Sequence, residues 1–164
     1  MDIIQVLRDE HRQVLDLFEK FDALEEPSAK APVAEQLLQQ LMVHEKAEED
    51  AVYRQVQGML PDPSLIETAL LEQADLKDRI REIVSDPSAE TLASRILLLR
   101  ERVMDHVATE QNELFPMMLE FVPEGMRQKL ASNFKTAKAG HMVEFPSLSI
   151  TLAPEAPVEE RQER

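Results

Sequence analysis

The sequence predicts an all-α protein: an up-down-up-down four-helix bundle with a short fifth helix and a flexible C-terminal tail. Three features carry that expectation. The first is composition. Hydrophobic residues make up 43% of the 164-residue chain, yet only 4% are aromatic and there are just 3 glycines. Strands favour aromatic and β-branched residues and tight turns favour glycine, so this balance suits helices. The second is a set of proline and N-cap signals that cut the chain into long pieces. The third is an apolar stripe at i, i+3, i+4 spacing within each piece.

Taken in order, a first helix begins near Asp2 and is closed by Glu26-Pro27-Ser28. Its stripe is Leu7, Val14, Leu15 and Phe18. A second runs from about Pro32 to Met59, stops before Pro61, and carries Leu37, Leu41 and Val52. Asp62-Pro63 reads as N-cap and first helical position of a third, with Ile66, Leu70, Ile80 and Ile83. Asp86-Pro87 repeats that signal and opens a fourth, which runs to about Glu120 despite Pro116. Its stripe is Leu92, Ile96, Leu99, Val103, Leu114 and Met117. Pro123 starts a short fifth helix that ends near Gly140. Residues 1–140 thus form the bundle and residues 141–164, charged and bearing prolines, a mobile tail. Short connections between long helices make neighbours antiparallel.

Charge and cysteine usage narrow the function. The net charge is −14, from 18 basic and 32 acidic residues, and such a surface repels a phosphate backbone, so nucleic acid is not an expected partner. No apolar run is long enough to span a membrane, and the first residues lack the layout of a signal peptide, so the expected location is cytoplasmic. With no cysteine there is neither a disulfide framework nor a thiolate metal site.

The informative residues interrupt the stripes. His11 lies four after Leu7 and three before Val14; His44 and Glu48 fill the gap between Leu41 and Val52. Gln73 falls three after Leu70, and His106 and Glu110 fill the gap between Val103 and Leu114. All four main helices therefore aim polar groups inward near mid-length. His11 and His44 lie about equally far from the first turn, as Glu48 and Gln73 do from the second. A buried carboxylate without a partner costs several kcal/mol to desolvate, and no Lys or Arg shares these stripes. A hydrogen-bonded polar core is the bland alternative; a cation satisfies His11, His44, His106, Glu48 and Glu110 together. Histidine nitrogen with carboxylate oxygen and no sulfur suits iron or manganese, with zinc a further option.

The pattern repeats. HEKAEEDAVY from His44 to Tyr53 parallels HVATEQNELF from His106 to Phe115, both reading His, then Glu four on, then Tyr or Phe five beyond that. The i, i+4 spacing places His and Glu on one helix face a turn apart. Ferritin-like bundles use Glu-x-x-His instead, and that motif is absent.

With Asp9-Glu10-His11, these two segments and the closing Phe115-Pro116, residues 2 to 138 resemble the hemerythrin-like, HHE cation-binding family. The resemblance implies two iron ions, with His11, His44 and His106 as terminal ligands. Glu48 and Glu110 would bridge the ions, together with an oxo or hydroxo group. The third helix departs from the family's pattern: Gln73 of Glu72-Gln73-Ala-Asp-Leu-Lys stands where a terminal histidine is expected. Glu45 and Glu72 are candidate substitutes, with solvated helix-surface positions the simpler reading of each. Tyr53 and Phe115 are expected to pack around the site, and His141 to lie at the surface or in the tail.

The implied function is a non-haem di-iron protein that binds or senses dioxygen, nitric oxide or redox state, or handles iron. One alternative is a peroxide- or ferrous-oxidising enzyme using a position left open at Gln73. Another is a helical interaction module without metal.

Overall fold

The computed structural model describes residues 1–86, 88–145 and 150, and among these the architecture is all-α. Helix α1 spans Ile3–Asp22, and the Asp2 carboxylate caps it by accepting from the Ile4 N–H at 2.9 Å. The same carboxylate receives Arg127 Nε at 2.6 Å, which ties α1 to the last helix. Helix α2 spans Pro27–Glu48 and continues through a π-helical turn at Glu49–Tyr53 into Arg54–Val56. Helix α3 spans Ser64–Ser85 and α4 Ala89–Thr109. A second π-helical turn at Glu110–Leu114 carries α4 on into Phe115–Phe121, and α5 spans Glu124–Glu144.

Several boundaries differ from those read off the sequence. Helix α2 starts at Pro27, which takes the first helical position after an extended Glu26, so Pro32 lies inside the helix. Pro63 precedes α3, and Asp62 accepts from the Ser64 N–H and hydroxyl at 2.9 and 2.6 Å, one residue later than expected. Helix α4 begins after Ser88; Pro87, expected as its first residue, lies outside the described residues. The fifth helix is not short. It is 21 residues long and runs through Gly140, which does not adopt the left-handed conformation that ends helices. Residues 141–144 of the expected tail are therefore helical. Beyond them, Gln39 Nε2 donates to the Phe145 carbonyl at 2.6 Å, and the Ile150 N–H donates to Glu35 Oε1 at 2.8 Å. Ile150 is itself buried. The rest of the expected tail, 146–149 and 151–164, lies outside the described residues.

The core has two apolar ends. One gathers Ile3, Leu7, Val52, Tyr53, Ile66, Ala69, Leu114, Phe115 and Phe134. The other gathers Val14, Phe18, Phe21, Leu37, Leu41, Leu76, Ile80, Val103 and, from beyond α5, Ile150. Helix α1 passes from the first end to the second, α2 returns, α3 repeats the passage of α1, and α4 that of α2. At each crossing stands a buried polar residue: His11, then His44, Glu45 and Glu48, then Gln73, then His106 and Glu110. Close packing at both ends fixes the height of this polar layer. No helix among the described residues is long and apolar enough to cross a membrane.

Candidate metal centre

Helix phase explains why Tyr53 and Phe115 reach the layer. Each follows a layer glutamate, Glu48 or Glu110, by five residues. In an unbroken α-helix five residues advance about 140° around the axis, off the buried face. A π turn absorbs one extra residue, so the fifth lands near where the fourth would, about 40° away. Both π turns sit between the glutamate and the aromatic, and Tyr53 and Phe115 are fully buried. In α4 the change of register also accommodates Pro116, which has no N–H to give.

The layer brings together all six residues that the sequence singled out as metal ligands. The His11 and His44 rings meet edge to face at 5.3 Å. His11 Nε2 lies 2.9 Å from Glu110 Oε2, though out of line for a hydrogen bond. His44 Nε2 is 3.6 Å from Glu48 Oε2, and His106 Nε2 is 3.6 Å from both Glu110 Oε1 and Glu45 Oε2. Glu110 thus turns one oxygen toward His11 and the other toward His106. Tyr53 donates its hydroxyl proton to Glu110 Oε1, and Gln73 Nε2 donates to Glu48 Oε2 at 3.0 Å.

Around this layer, outer groups orient the imidazoles. Glu72 meets His106 Nδ1 at 2.7 Å and accepts from the Thr109 hydroxyl at 3.0 Å. The Gln111 amide lies 3.4 Å from His11 Nδ1. Glu10, held by Lys138, stands 3.6 Å from His44 Nδ1. A carboxylate on the outer ring nitrogen, as Glu72 provides for His106, is the arrangement that fixes an imidazole for a metal on the other nitrogen. Phe115 stacks on His11 at 6.0 Å and Phe134 meets His44 edge-on at 5.8 Å, closing the layer to water.

Within the layer, buried carboxylates and imidazoles shift one another's charges. Burial, then the neighbouring Glu110, pushes the Glu48 carboxyl well above the usual range. Glu110 goes the other way: burial opposes its charge, but His106 and His11 hold its carboxyl well below that range. Burial also opposes the charged form of His106, yet Glu110, Glu45 and Glu72 raise its pKa to about 9. Burial, then Glu110, Glu48 and Glu45, raise Tyr53, so its hydroxyl keeps its proton.

The decisive observation is what stays unsatisfied. Seven buried side-chain atoms among the described residues have no hydrogen-bond partner: His11 Nε2, both His44 nitrogens, Glu45 Oε2, Glu48 Oε1, Gln73 Oε1 and Glu110 Oε2. All belong to this layer. Native proteins leave few buried polar atoms unpaired, and here polar atoms from all four main helices gather with no Lys or Arg side chain between them. Such a set fits a cation. Ligand atoms within 4.8 Å of one another form two groups, His11-His44-Glu48 and Glu45-Glu48-His106, which share Glu48.

Two results differ from the sequence reading. Glu45, expected on a solvated surface, is 1% exposed and inside the layer. A signal for this existed: on α2, Glu48 sits about 40° from His44 and Glu45 about 100°, so an inward Glu48 brings both flanks inward. Glu72 is neither free in solvent nor in the layer but behind His106, with its side chain 28% exposed. His141 lies in α5 away from the layer and pairs with Asp50 and Glu144 at 3.0 and 3.1 Å.

The profile of the hemerythrin HHE cation-binding domain matches residues 2–118. A DNA nickase from Nostoc sp. (strain PCC 7120 / SAG 25.82 / UTEX 2576) is 29% identical over 140 residues, 85% of this chain. The match spans 40% of that relative's length. No solved structure matches.

Proposed function

The chain belongs to the hemerythrin HHE cation-binding family, and from that premise we propose that it holds two iron ions between its helices. It uses them to bind or sense dioxygen, nitric oxide or redox state, or to handle iron. The carrying observation is the set of seven unpartnered buried atoms in one layer, where two clusters of possible ligand atoms share Glu48. His11, His44 and His106 would each give one imidazole nitrogen, and Glu48 and Glu110 would lie between the ions. Nitrogen and carboxylate donors without sulfur suit iron, with manganese or zinc the competitors. Ferrous ions bound here would supply electrons to a small oxidant.

The chain's own groups prepare that site. Glu72 holds the His106 ring by its Nδ1, and Glu10 and Gln111 flank the outer nitrogens of His44 and His11. Phe115 and Phe134 exclude water, and the Tyr53 hydroxyl holds a proton on Glu110 Oε1, beside the imidazole of His106. Metal analysis with an absorption spectrum after anaerobic purification tests the reading. Two irons per chain are expected, and neither iron nor manganese would overturn it.

A second reading, turnover of peroxide or ferrous ion at an open corner, is favoured by one observation. Gln73 presents its amide nitrogen to Glu48, so it offers no imidazole there. That reading expects turnover to fall in Gln73→His. DNA nicking, the activity for which the Nostoc relative is named, does not suit a chain of net charge −14, which repels a phosphate backbone.

A further inference from the structure

Resting on the two-ion reading above, we infer that the two metal positions are chemically unequal, and that Glu45 supplies the donor that the third helix lacks. One position is rich in imidazole, built from His11, His44 and the shared Glu48. The other is rich in carboxylate, built from His106, Glu48 and Glu45.

Three observations carry this. Gln73, the residue in the histidine's place, spends its amide on Glu48: Nε2 donates to Oε2 at 3.0 Å. An amide N–H has no lone pair for a cation, so that side of Gln73 positions the shared carboxylate and leaves only the neutral oxygen Oε1, a weaker donor than a carboxylate, open toward the layer. Next, Glu45 is buried with Oε2 unpartnered, 3.6 Å from His106 Nε2. A carboxylate is not left so unless a cation or proton completes it. Finally, helix phase sets the division. Looking down α2, Glu48 lies between His44 and Glu45, so one carboxylate serves an imidazole on one flank and a second carboxylate on the other. In the repeat on α4 the residue matching Glu45 is Val107, so only α2 can supply the extra acid.

Chemistry follows from the donor sets. Imidazole suits ferrous and zinc ions, whereas a carboxylate-rich set suits manganous or magnesium ions and holds ferrous ion less firmly. The ions therefore load stepwise. The imidazole-rich position fills first and keeps its ion; the carboxylate-rich position fills second and exchanges.

The test is an anaerobic titration of the full chain with ferrous ion, followed by metal content after brief exposure to a chelator. The unaltered chain is expected to take two ions in two steps and to retain one. Glu45→Gln keeps the shape and removes the charge; it should weaken the second step by more than about tenfold and leave the first nearly unchanged. Gln73→Ala, with circular dichroism to verify its helices, should still take two ions. Glu45→Gln with an unchanged second step overturns the inference and leaves the two-ion reading standing. So does loss of the second ion in Gln73→Ala but not in Glu45→Gln. An unaltered chain that takes fewer than two ions overturns the two-ion reading itself.

Discussion

The two repeats, His44 to Tyr53 on α2 and His106 to Phe115 on α4, share spacing and a π turn yet do different work. Both bring a histidine, a glutamate and an aromatic onto one buried face. The α2 copy adds two polar groups where the α4 copy has apolar ones: Glu45 against Val107, and the Tyr53 hydroxyl against the bare ring of Phe115. Tyr53 reaches across to Glu110, the glutamate of the other repeat, whereas Phe115 stacks on His11. The lesson is that a repeated motif fixes where groups stand, and single substitutions decide which half of the centre carries the charge.

The largest test of that division is metal removal. Counting one ion alone, free metal at about 1,000 times Kd adds about 4 kcal/mol. Chelation should then lower Tm by roughly 8–16 °C in a calorimetric scan, at about 2–4 °C per kcal/mol for a chain this size. An unchanged Tm would mean that the polar layer needs no cation.

Next comes Phe115→Ala, which empties the apolar wall beside His11 and should cost about 3–5 kcal/mol in urea denaturation. A cost below about 1 kcal/mol would show that the α4 copy contributes no packing of its own.

Acidity separates loaded from metal-free chain. The pKa of His106 is raised from 6.5 to about 9 in the metal-free fold. Its contribution to stability is therefore full below pH 6.5 and lost as pH rises through about 9, a change on the order of 3 kcal/mol. Metal binding takes the imidazole neutral and removes that dependence. Denaturation curves from pH 6.5 to 9 should fall for the metal-free chain and stay flat for the loaded one. Parallel curves would contradict His106 as a ligand.

The smallest effect is Tyr53→Phe, which makes the α2 copy match α4. Glu110 loses one hydrogen bond, at a cost of about 1–2 kcal/mol, and the absorption spectrum of the loaded protein should shift. A variant with unchanged stability and spectrum would reduce Tyr53 to packing alone.

Much of this was legible in the sequence because it depends on period. The stripes marked the core: Leu7, Leu37, Ile80 and Leu99 are all buried. The breaks in those stripes marked His11, His44, Glu48, Gln73, His106 and Glu110, and the structure gathers all six. Counting residues from the second turn put Glu48 level with Gln73, and their side chains meet at 3.0 Å. The five-residue step from glutamate to aromatic stands in the sequence too, but it signifies a π turn only because Tyr53 and Phe115 are both buried.

What the sequence determined by itself was which face of each helix is buried, since a 3.6-residue period repeats within one segment and needs no partner. What only the tertiary structure decided was the assignment of charge across helices. Helix phase turns Glu45 inward beside Glu48, but its place against His106 comes from the packing of α2 against α4. Glu72 stays at the edge, behind His106. Both outcomes depend on the height and rotation of one helix against another. Packing of the two apolar ends sets those quantities, and they belong to no single segment.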